Sequence, residues 1–303
     1  MTGSKIARYR ITHRTSYNYG AVVNQSFHVL RLSPRVVDHQ SIIRHRLSTE
    51  PRFEIKPDRF DFFGNPFNLL LIESDHNLLV VTSETEIDVT PPPTIDLAAT
   101  SDWRNLIDGG GPSGQLNDGA SVSQYAANSR HGRRLNQLAD YARPSFPEGQ
   151  PILLGVRDLT RRIFEDFAFD PTATDVSTPV ETVLELKRGV CQDFAHLQIS
   201  ALRSLGLPAR YVSGYILTHP PEGQERLQGA DASHAWVSVW APETGWVDFD
   251  PTNNMVSHNE HITFAYGRDY DDVAPISGVL LGGGAHSVGV SVDVAPQKLD
   301  DQT

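Results

Sequence analysis

Cys191 is the only cysteine in the 303-residue sequence, and its position suits a nucleophile. It directly follows Gly189-Val190 at the predicted start of a helix. Unpaired backbone N–H groups and the positive end of the helix dipole favour a thiolate there. The same N–H groups could stabilise an oxyanion formed beside the sulfur. A lone cysteine in an apolar helix is, however, more often a small buried side chain. A catalytic role therefore requires partners elsewhere in the sequence.

His234 is the candidate base for this thiol. It precedes the sequence Ala-Trp-Val-Ser-Val-Trp, whose composition indicates a strand, so the side chain can project from a sheet toward a facing helix. An imidazole with an ordinary pKa of about 6.5 can take the thiol proton and later return it to a leaving amine. As one of 12 histidines, His234 could also be a surface or capping residue.

Two aspartates could orient that imidazole. In the sequence Gly-Trp-Val-Asp-Phe-Asp-Pro-Thr, strand alternation places Asp248 and Asp250 on one face and Val247 and Phe249 on the other. Position alone does not choose between the two carboxylates. Either of them could also be a solvated acid at the end of a strand.

The other histidines offer weaker chemistry. His196 lies five positions after Cys191, about 140° around an ideal helix, so we expect it to be buried and hydrogen-bonded rather than to act as the base. His258 and His261 are three positions apart with no third ligand, so no metal site is predicted there. A single cysteine can form neither an intrachain disulfide nor a cysteine cage for a metal. We expect no cofactor.

A helix followed by strands must position these side chains. Thr178-Pro179-Val180-Glu181 has the pattern of a helix start with Thr178 as cap, and the glycine of Lys187-Arg188-Gly189 fits a left-handed cap at its end. Cys191 then begins a helix with apolar residues nearly all round, which indicates a central buried helix. Strands are predicted over 209–217, 235–240 and 245–250, and an amphipathic helix over 156–164.

The amino-terminal part of the sequence is strand-rich. Apolar and polar residues alternate in short runs between Lys5 and Val89, with Gly64-Asn65-Pro66 as a turn. Three prolines follow Thr90, and glycines are frequent up to Gly119, a composition typical of a linker. We predict a β-sandwich-like domain over residues 1–95, a linker over 96–120, and a catalytic core with a carboxy-terminal extension over 121–303. The fold class is α+β.

Four sequence blocks resemble the transglutaminase-like superfamily. In chain order they are Arg188-Gly-Val-Cys-Gln-Asp-Phe-Ala-His-Leu, Leu205-Gly-Leu-Pro-Ala-Arg-Tyr-Val-Ser-Gly-Tyr, Ser233-His-Ala-Trp and Gly245-Trp-Val-Asp-Phe-Asp-Pro-Thr. The resemblance implies a papain/transglutaminase-like core in which a central helix packs on an antiparallel sheet. It also implies that Cys191 is the nucleophile, His234 the base and Asp250 the third member. Tyr17-Asn-Tyr-Gly and Leu30-Arg-Leu-Ser-Pro are similar to the amino-terminal domain of a bacterial branch of these proteins.

One departure from the family affects the expected reaction. Animal transglutaminases have a tryptophan upstream of the cysteine as an oxyanion donor, whereas this sequence has Phe167 and Phe169, whose rings donate no hydrogen bond. We therefore expect a peptidase or amidase that forms a thioester acyl-enzyme. A transglutaminase with an amine acceptor and a non-catalytic binding protein are the alternatives.

Composition limits the partners. The formal charge of -11 disfavours nucleic acid, and no apolar run is long enough to cross a bilayer. MTGSKIARYRIT lacks the apolar core of a signal peptide, so a cytoplasmic location is expected. We expect a peptide or protein substrate, no nucleic acid and no membrane partner. The sequence leaves the oligomeric state open.

Overall fold

Two antiparallel sheets dominate the computed structural model, which describes residues 6–57, 59–108, 121–218 and 231–298. The described residues form fourteen strands: β1 Ala7–Leu30, β2 Gln40–Glu50, β3 Arg59–Phe60, β4 Pro66–Ile72, β5 His76–Val89, β6 Ala168–Phe169, β7 Arg188–Gly189, β8 Ala209–Ile216, β9 Ser233–Ala241, β10 Gly245–Asp250, β11 Met255–Val256, β12 His261–Gly267, β13 Ile276–Gly282 and β14 His286–Gln297. Their six α-helices are α1 Trp103–Asp108, α2 Asn136–Ala142, α3 Ile152–Asp166, α4 Val180–Leu186, α5 Cys191–Ser204 and α6 Tyr270–Val273. None of these helices is both long and apolar enough to cross a bilayer.

The first sheet is organised around the 24-residue strand β1. The strand order is β2-β5-β1-β4-β3, with β13 and β14 also paired with β1. The first half of β1 pairs with β5 and its second half with β4, so the sheet curls along this strand. Tyr9 and Ile11 alternate with more exposed residues and pack into an apolar cluster with Ile87 and Val89. The strand-rich amino-terminal region predicted from the alternation is confirmed.

The carboxy-terminal strands belong to this first sheet. β14 runs antiparallel to β1 from Arg8 opposite Gln297 to Tyr19 opposite His286, and β13 continues along the second half of β1. The sequence pattern groups this extension with the core, but strand pairing joins it to the amino-terminal sheet. Both ends of the described chain therefore meet in one sheet, and the core lies between them in sequence.

Part of the predicted linker over 96–120 is regular structure. Residues Leu97–Ala99 form a 3-10 helix and α1 follows it. Trp103 and Leu106 of α1 are buried in the main apolar core. The proline and glycine pattern marks the change of region but does not show this packing. Residues 109–120 of the predicted linker lie outside the described residues.

The second sheet carries the predicted catalytic strands in the order β11-β10-β9-β8-β12. Helix α5 packs on its β8 and β9 strands, and α2, α3 and α4 surround the helix. Eleven of the 14 residues of α5 are buried, as its nearly uniform apolar pattern predicts. The predicted α+β core, with a central helix on an antiparallel sheet, is confirmed. The helix predicted over 156–164 lies within α3.

The predicted capping box of α4 is wrong. The helix begins at Val180, and no side chain caps it. The hydroxyl of Thr178 instead accepts a hydrogen bond from the backbone N–H of Asp175, and Glu181 pairs with Arg133. The local turn at Asp175 competes for the threonine, as serine and threonine hydroxyls commonly allow.

The predicted left-handed cap at Gly189 is also wrong. Lys187 ends α4 in the left-handed conformation, with φ of 55°. Gly189 has another role, because a Cβ at this position would lie 2.7 Å from Oδ2 of Asp193. A glycine therefore allows the chain to pass close to the first turn of α5.

A buried arginine holds the last turn of α5. Arg203 is fully buried and has no carboxylate within ion-pair distance among the described residues. Its guanidinium donates to the hydroxyl of Ser129 and to backbone carbonyls of four other residues, namely Tyr125, Gly132, Ala209 and Arg268. Burial is the largest influence on this group and lowers the pKa of Arg203 to about 10. The four carbonyls, called the carbonyl cage below, replace water as acceptors for the guanidinium and so compensate for its lost hydration.

Two side-chain amides join the sheets along the outer edge of β12. Gln40 accepts from the N–H of Thr263 and donates to its carbonyl, at 3.1 and 2.7 Å. Asn65 makes the same pair of bonds with Tyr266, at 2.8 and 2.7 Å. These amides satisfy backbone groups that an edge strand otherwise exposes.

Candidate active site

Cys191 is the first residue of α5 and is partly exposed. The carboxylate of Asp193 accepts from the backbone N–H of Val190 at 2.8 Å and from the hydroxyl of Thr174 at 2.6 Å. These bonds tie the strand that leads into the helix to the first helical turn. The sulfur is thus placed where the helix N–H groups have no partner within the helix.

His234 and Asp250 come from neighbouring strands. His234 is the second residue of β9, and Asp250 is the last residue of β10, which pairs with β9. Nε2 of His234 donates to Oδ2 of Asp250 at 2.7 Å. That bond leaves Nδ1 as the second ring nitrogen, and Cys191 is near enough to His234 to raise the pKa of the imidazole. The structure bonds His234 to Asp250 and places Cys191 close enough to influence His234.

Asp250 has an unusually complete set of donors. Its Oδ1 accepts from the backbone N–H groups of Thr252 and Asn253, at 2.9 and 3.2 Å. Its Oδ2 accepts from Nδ2 of Asn253 at 2.7 Å, in addition to the bond from His234. The Asp-Pro-Thr-Asn turn therefore wraps its own carboxylate and aims one oxygen at the imidazole.

The charges of the site reinforce one another. Burial by itself lowers the pKa of His234, but the hydrogen bond and charge of Asp250, followed by those of Cys191, raise it to about 10. Burial by itself raises the pKa of Asp250, but His234 and then His261 lower it below its usual range. This arrangement favours a protonated imidazole beside an ionised Asp250.

Asp248 has a different partner. Its Oδ2 accepts from the indole N–H of Trp236 at 2.9 Å. The Trp236 ring is fully buried and stacks on His234 with 6.0 Å between ring centroids. Asp248 is thus half-buried with one oxygen bonded to Trp236, whereas Asp250 is the carboxylate that bonds His234.

The structure also places His261 at the site, although its spacing from His258 predicts no such role. His261 is the first residue of β12 and is buried. Its Nε2 lies 3.1 Å from Oδ2 of Asp250, the oxygen that His234 also bonds. One ligand atom each of His234, Asp250 and His261 lie within 4.8 Å of one another, a spacing that could hold a metal ion. Because both imidazoles already direct a ring nitrogen at the same oxygen, binding an ion would require displacing these bonds.

The remaining candidates make other contacts. His196 is buried, stacks on His131 and accepts from the backbone N–H of Tyr270 at 3.2 Å, as expected for a hydrogen-bonded core histidine. Phe167 packs in the core, with its ring centroid 6.0 Å from that of Phe194. Phe169 is exposed.

Two family models match the chain. The model for the "Transglutaminase-like superfamily" matches residues 141–251, and the model for the "Bacterial transglutaminase-like N-terminal region" matches residues 9–88. An uncharacterized protein of Mycobacterium tuberculosis is 38% identical over 95% of this chain and 93% of that protein. The chain belongs to the transglutaminase-like superfamily. The matched core includes Cys191, His234 and Asp250, whereas His261 follows it.

Other similar proteins carry functional descriptions. A protein-glutamine gamma-glutamyltransferase of Pseudomonas aeruginosa is 34% identical over 126 residues, which is 40% of this chain and 19% of that protein. A crystal structure from Cytophaga hutchinsonii, provisionally described as a cysteine protease, matches with a TM-score of 0.74 and 21% identity. The match covers 98% of this chain and 93% of that one. At 21% identity this likeness is evidence of a shared fold and not of a shared reaction.

Proposed function

We propose that this transglutaminase-like chain is a cysteine-dependent acyl-transfer enzyme that acts as a peptidase or amidase. The observation that carries the proposal is the 2.7 Å bond from His234 to the buried Asp250, in an imidazole whose pKa is also raised by the nearby Cys191. A nucleophile, a base and an orienting carboxylate in this order form the arrangement needed to activate a thiol.

The proposed reaction has two halves. The thiolate of Cys191 attacks an amide carbonyl, and a C–S bond forms while the carbonyl oxygen becomes an oxyanion near the first N–H groups of α5. As the C–N bond breaks, protonated His234 gives its proton to the leaving amine. Water then attacks the thioester with His234 as base, which releases the acid and regenerates the thiol. Asp250 stays ionised throughout and orients the imidazole.

Hydrolysis is preferred over amine transfer because neither Phe167 nor Phe169 can replace the tryptophan donor of animal transglutaminases. The similarity to the Pseudomonas transferase favours the second candidate, in which an amine rather than water takes the acyl group. Supplying a primary amine together with a peptide substrate distinguishes the two. We expect free acid as the main product, whereas an amide of the added amine would support the transferase.

The third candidate is a binding protein that keeps the fold without turnover. To test catalysis, the rate of iodoacetamide alkylation at pH 7 is compared between the native protein, the denatured protein and His234→Ala. We expect native Cys191 to react faster than the denatured thiol and His234→Ala to lose this advantage. A thiol that reacts only after denaturation would contradict an enzyme. Peptide libraries screened for a covalent adduct at Cys191 would then identify the substrate.

The proposal includes a peptide or protein substrate and a cytoplasmic location. A reducing compartment suits the chemistry, because the nucleophile is a single thiol that must remain reduced to react. The excess of acidic residues favours neither nucleic acid nor anionic lipid as a partner.

A further inference from the structure

Two imidazoles share one oxygen of Asp250. His234 reaches Oδ2 at 2.7 Å and His261 reaches the same atom at 3.1 Å. The two histidines come from different strands, β9 and β12, and both are buried. Asp250 is therefore held by a second imidazole on the same oxygen, a group that the acyl-transfer reaction has not required so far.

The hydrogen bonds around His261 define which nitrogen carries its proton. Nδ1 of His261 accepts from the backbone N–H of His258 at 3.4 Å, so the proton of the neutral ring lies on Nε2. Nε2–H can then donate to Asp250. The edges of the Trp236 and His258 rings pack against His261, with 5.2 Å between centroids in each case. The ring is thus fixed in both orientation and tautomer.

We infer that His261 is a positioning residue of the active site, which holds Asp250 in place and limits how strongly its charge stabilises protonated His234. The inference rests on the proposed function of the triad. His261 acts through Asp250 and makes no hydrogen bond to Cys191 among the described residues.

The electrostatic part follows from the shared oxygen. The positive end of the His261 N–H dipole lies against Oδ2 and so offsets part of the negative charge that stabilises the imidazolium of His234. The titratable groups that face His261 are Asp250, His234 and His258. Burial is the largest influence on His261 and lowers its pKa, which keeps the ring neutral near pH 7. A base that is less tightly held in its protonated form can return its proton to a leaving group more readily.

The first test uses two substitutions at this position and a matched control. His261→Phe removes the donor but keeps a ring, and His261→Gln keeps an N–H group that can reach Asp250. His28→Phe is the control, because His28 is also buried and hydrogen-bonded but lies in the first sheet. The rate of Cys191 alkylation by iodoacetamide is measured from pH 5 to 11 for each protein, and thermal melting checks that each variant folds.

We expect His261→Phe to react about tenfold more slowly than the wild-type protein at pH 7, because Asp250 and the imidazole that it orients lose a fixed position. The stronger charge on Asp250 cannot offset this loss at pH 7, where the imidazole of the wild-type protein is already protonated. The pH at which His234 loses its proton, seen as the alkaline inflection of the rate profile, should rise by up to about one unit. One unit corresponds to a tenfold change in the proton affinity of His234. His261→Gln should restore most of both properties. Rate profiles for His261→Phe and His28→Phe that agree within a factor of two would overturn the inference. An alkaline inflection at lower pH in His261→Phe than in the wild-type protein would also overturn it.

A second test needs no substitution. Nitrogen NMR of histidine-labelled wild-type protein should show His261 as the neutral ring with its proton on Nε2 between pH 6 and 8. A ring protonated on Nδ1 alone, or on both nitrogens, would overturn the inference even if the variants fail to fold. Failure of the proposed function looks different, because the wild-type thiol would then react no faster than the denatured one.

Discussion

The two ends of α5 show two different uses of a buried charge. Near the carboxyl end, the N–H groups of the Arg203 guanidinium donate to backbone carbonyls and one hydroxyl. No N–H group therefore remains available for a reaction. Near the amino end, Asp250 accepts a full set of bonds, yet the imidazole that it orients lies close to the partly exposed Cys191. A saturated charge network fixes structure, whereas a network with one open position can do chemistry.

The largest expected effect is on turnover at the amino end of the helix. Cys191→Ala removes the nucleophile, so turnover of a substrate found by adduct screening should fall by a factor on the order of 10⁴ or more. The free energy of unfolding should change by about 1 kcal/mol or less, because one small, partly exposed side-chain atom is lost. Product assays and denaturant melts measure the two quantities. Full activity in the purified variant would eliminate Cys191 as the nucleophile.

The opposite result is expected at the carboxyl end. Arg203→Met leaves several carbonyls without donors in the core, so the free energy of unfolding should fall by roughly 3–5 kcal/mol. The alkylation rate of Cys191 in the folded fraction should stay near the wild-type value. Arg133→Met, at an exposed ion pair, is the control and should cost under about 1 kcal/mol. Equal melting curves for the two variants would show that the carbonyl cage contributes nothing.

The two aspartates of β10 test which carboxylate orients His234 near the amino end of α5. Asp250→Asn can turn an amide N–H toward His234, favour the wrong tautomer and remove the anion, so turnover should fall by a factor on the order of 100 or more. Asp248→Asn keeps a carbonyl that can accept from Trp236, so its loss should stay within about tenfold. Both variants are assayed on one substrate after their melting temperatures are checked. A larger loss in Asp248→Asn would assign the orienting role to the other carboxylate.

The smallest effect concerns acid stability. The folded-state pKa of Asp250 is lower than in the unfolded chain, so below about pH 4 the unfolded chain binds a proton that the folded protein does not. The stability that this carboxylate contributes is therefore present above that pH and is lost as the pH falls through the folded-state pKa. Between pH 4 and 2, the free energy of unfolding should fall more steeply for wild type than for Asp250→Asn. Parallel curves from urea titrations would contradict this expectation.

Local pattern predicted the elements that carry the site. The apolar residues of α5 and the alternation in β9 and β10 are short-range signals, and they placed Cys191, His234 and Asp250 at element ends. Alternation alone left Asp248 and Asp250 equivalent. The choice between them came from the family resemblance, and the bond to His234 is a tertiary contact. The catalytic roles of the three residues stay predictions.

Long-range contacts could not be predicted in this way. His261 lies on β12, at the opposite edge of the second sheet from β10 and β11, and nothing in its spacing from His258 indicates a bond to Asp250. The hydrogen bonds of Arg203 are equally hard to predict, because its partners are backbone carbonyls from distant segments. Alternation in 286–297 is compatible with a strand but cannot identify β1 as its partner, since pairing depends on which edge the folded chain leaves open.

The pairing of β1 with β14 has a consequence for the newborn chain. Residues 8–19 are made long before the strand that covers one of their edges, which is made only after residue 285. At about 5–20 residues per second, that delay is roughly 10 to 60 seconds. During synthesis β1 can pair with β5 on one side. The N–H and C=O groups of its other edge are then unpaired and can bond to another strand. Shielding of that edge until β14 is made therefore limits mispairing.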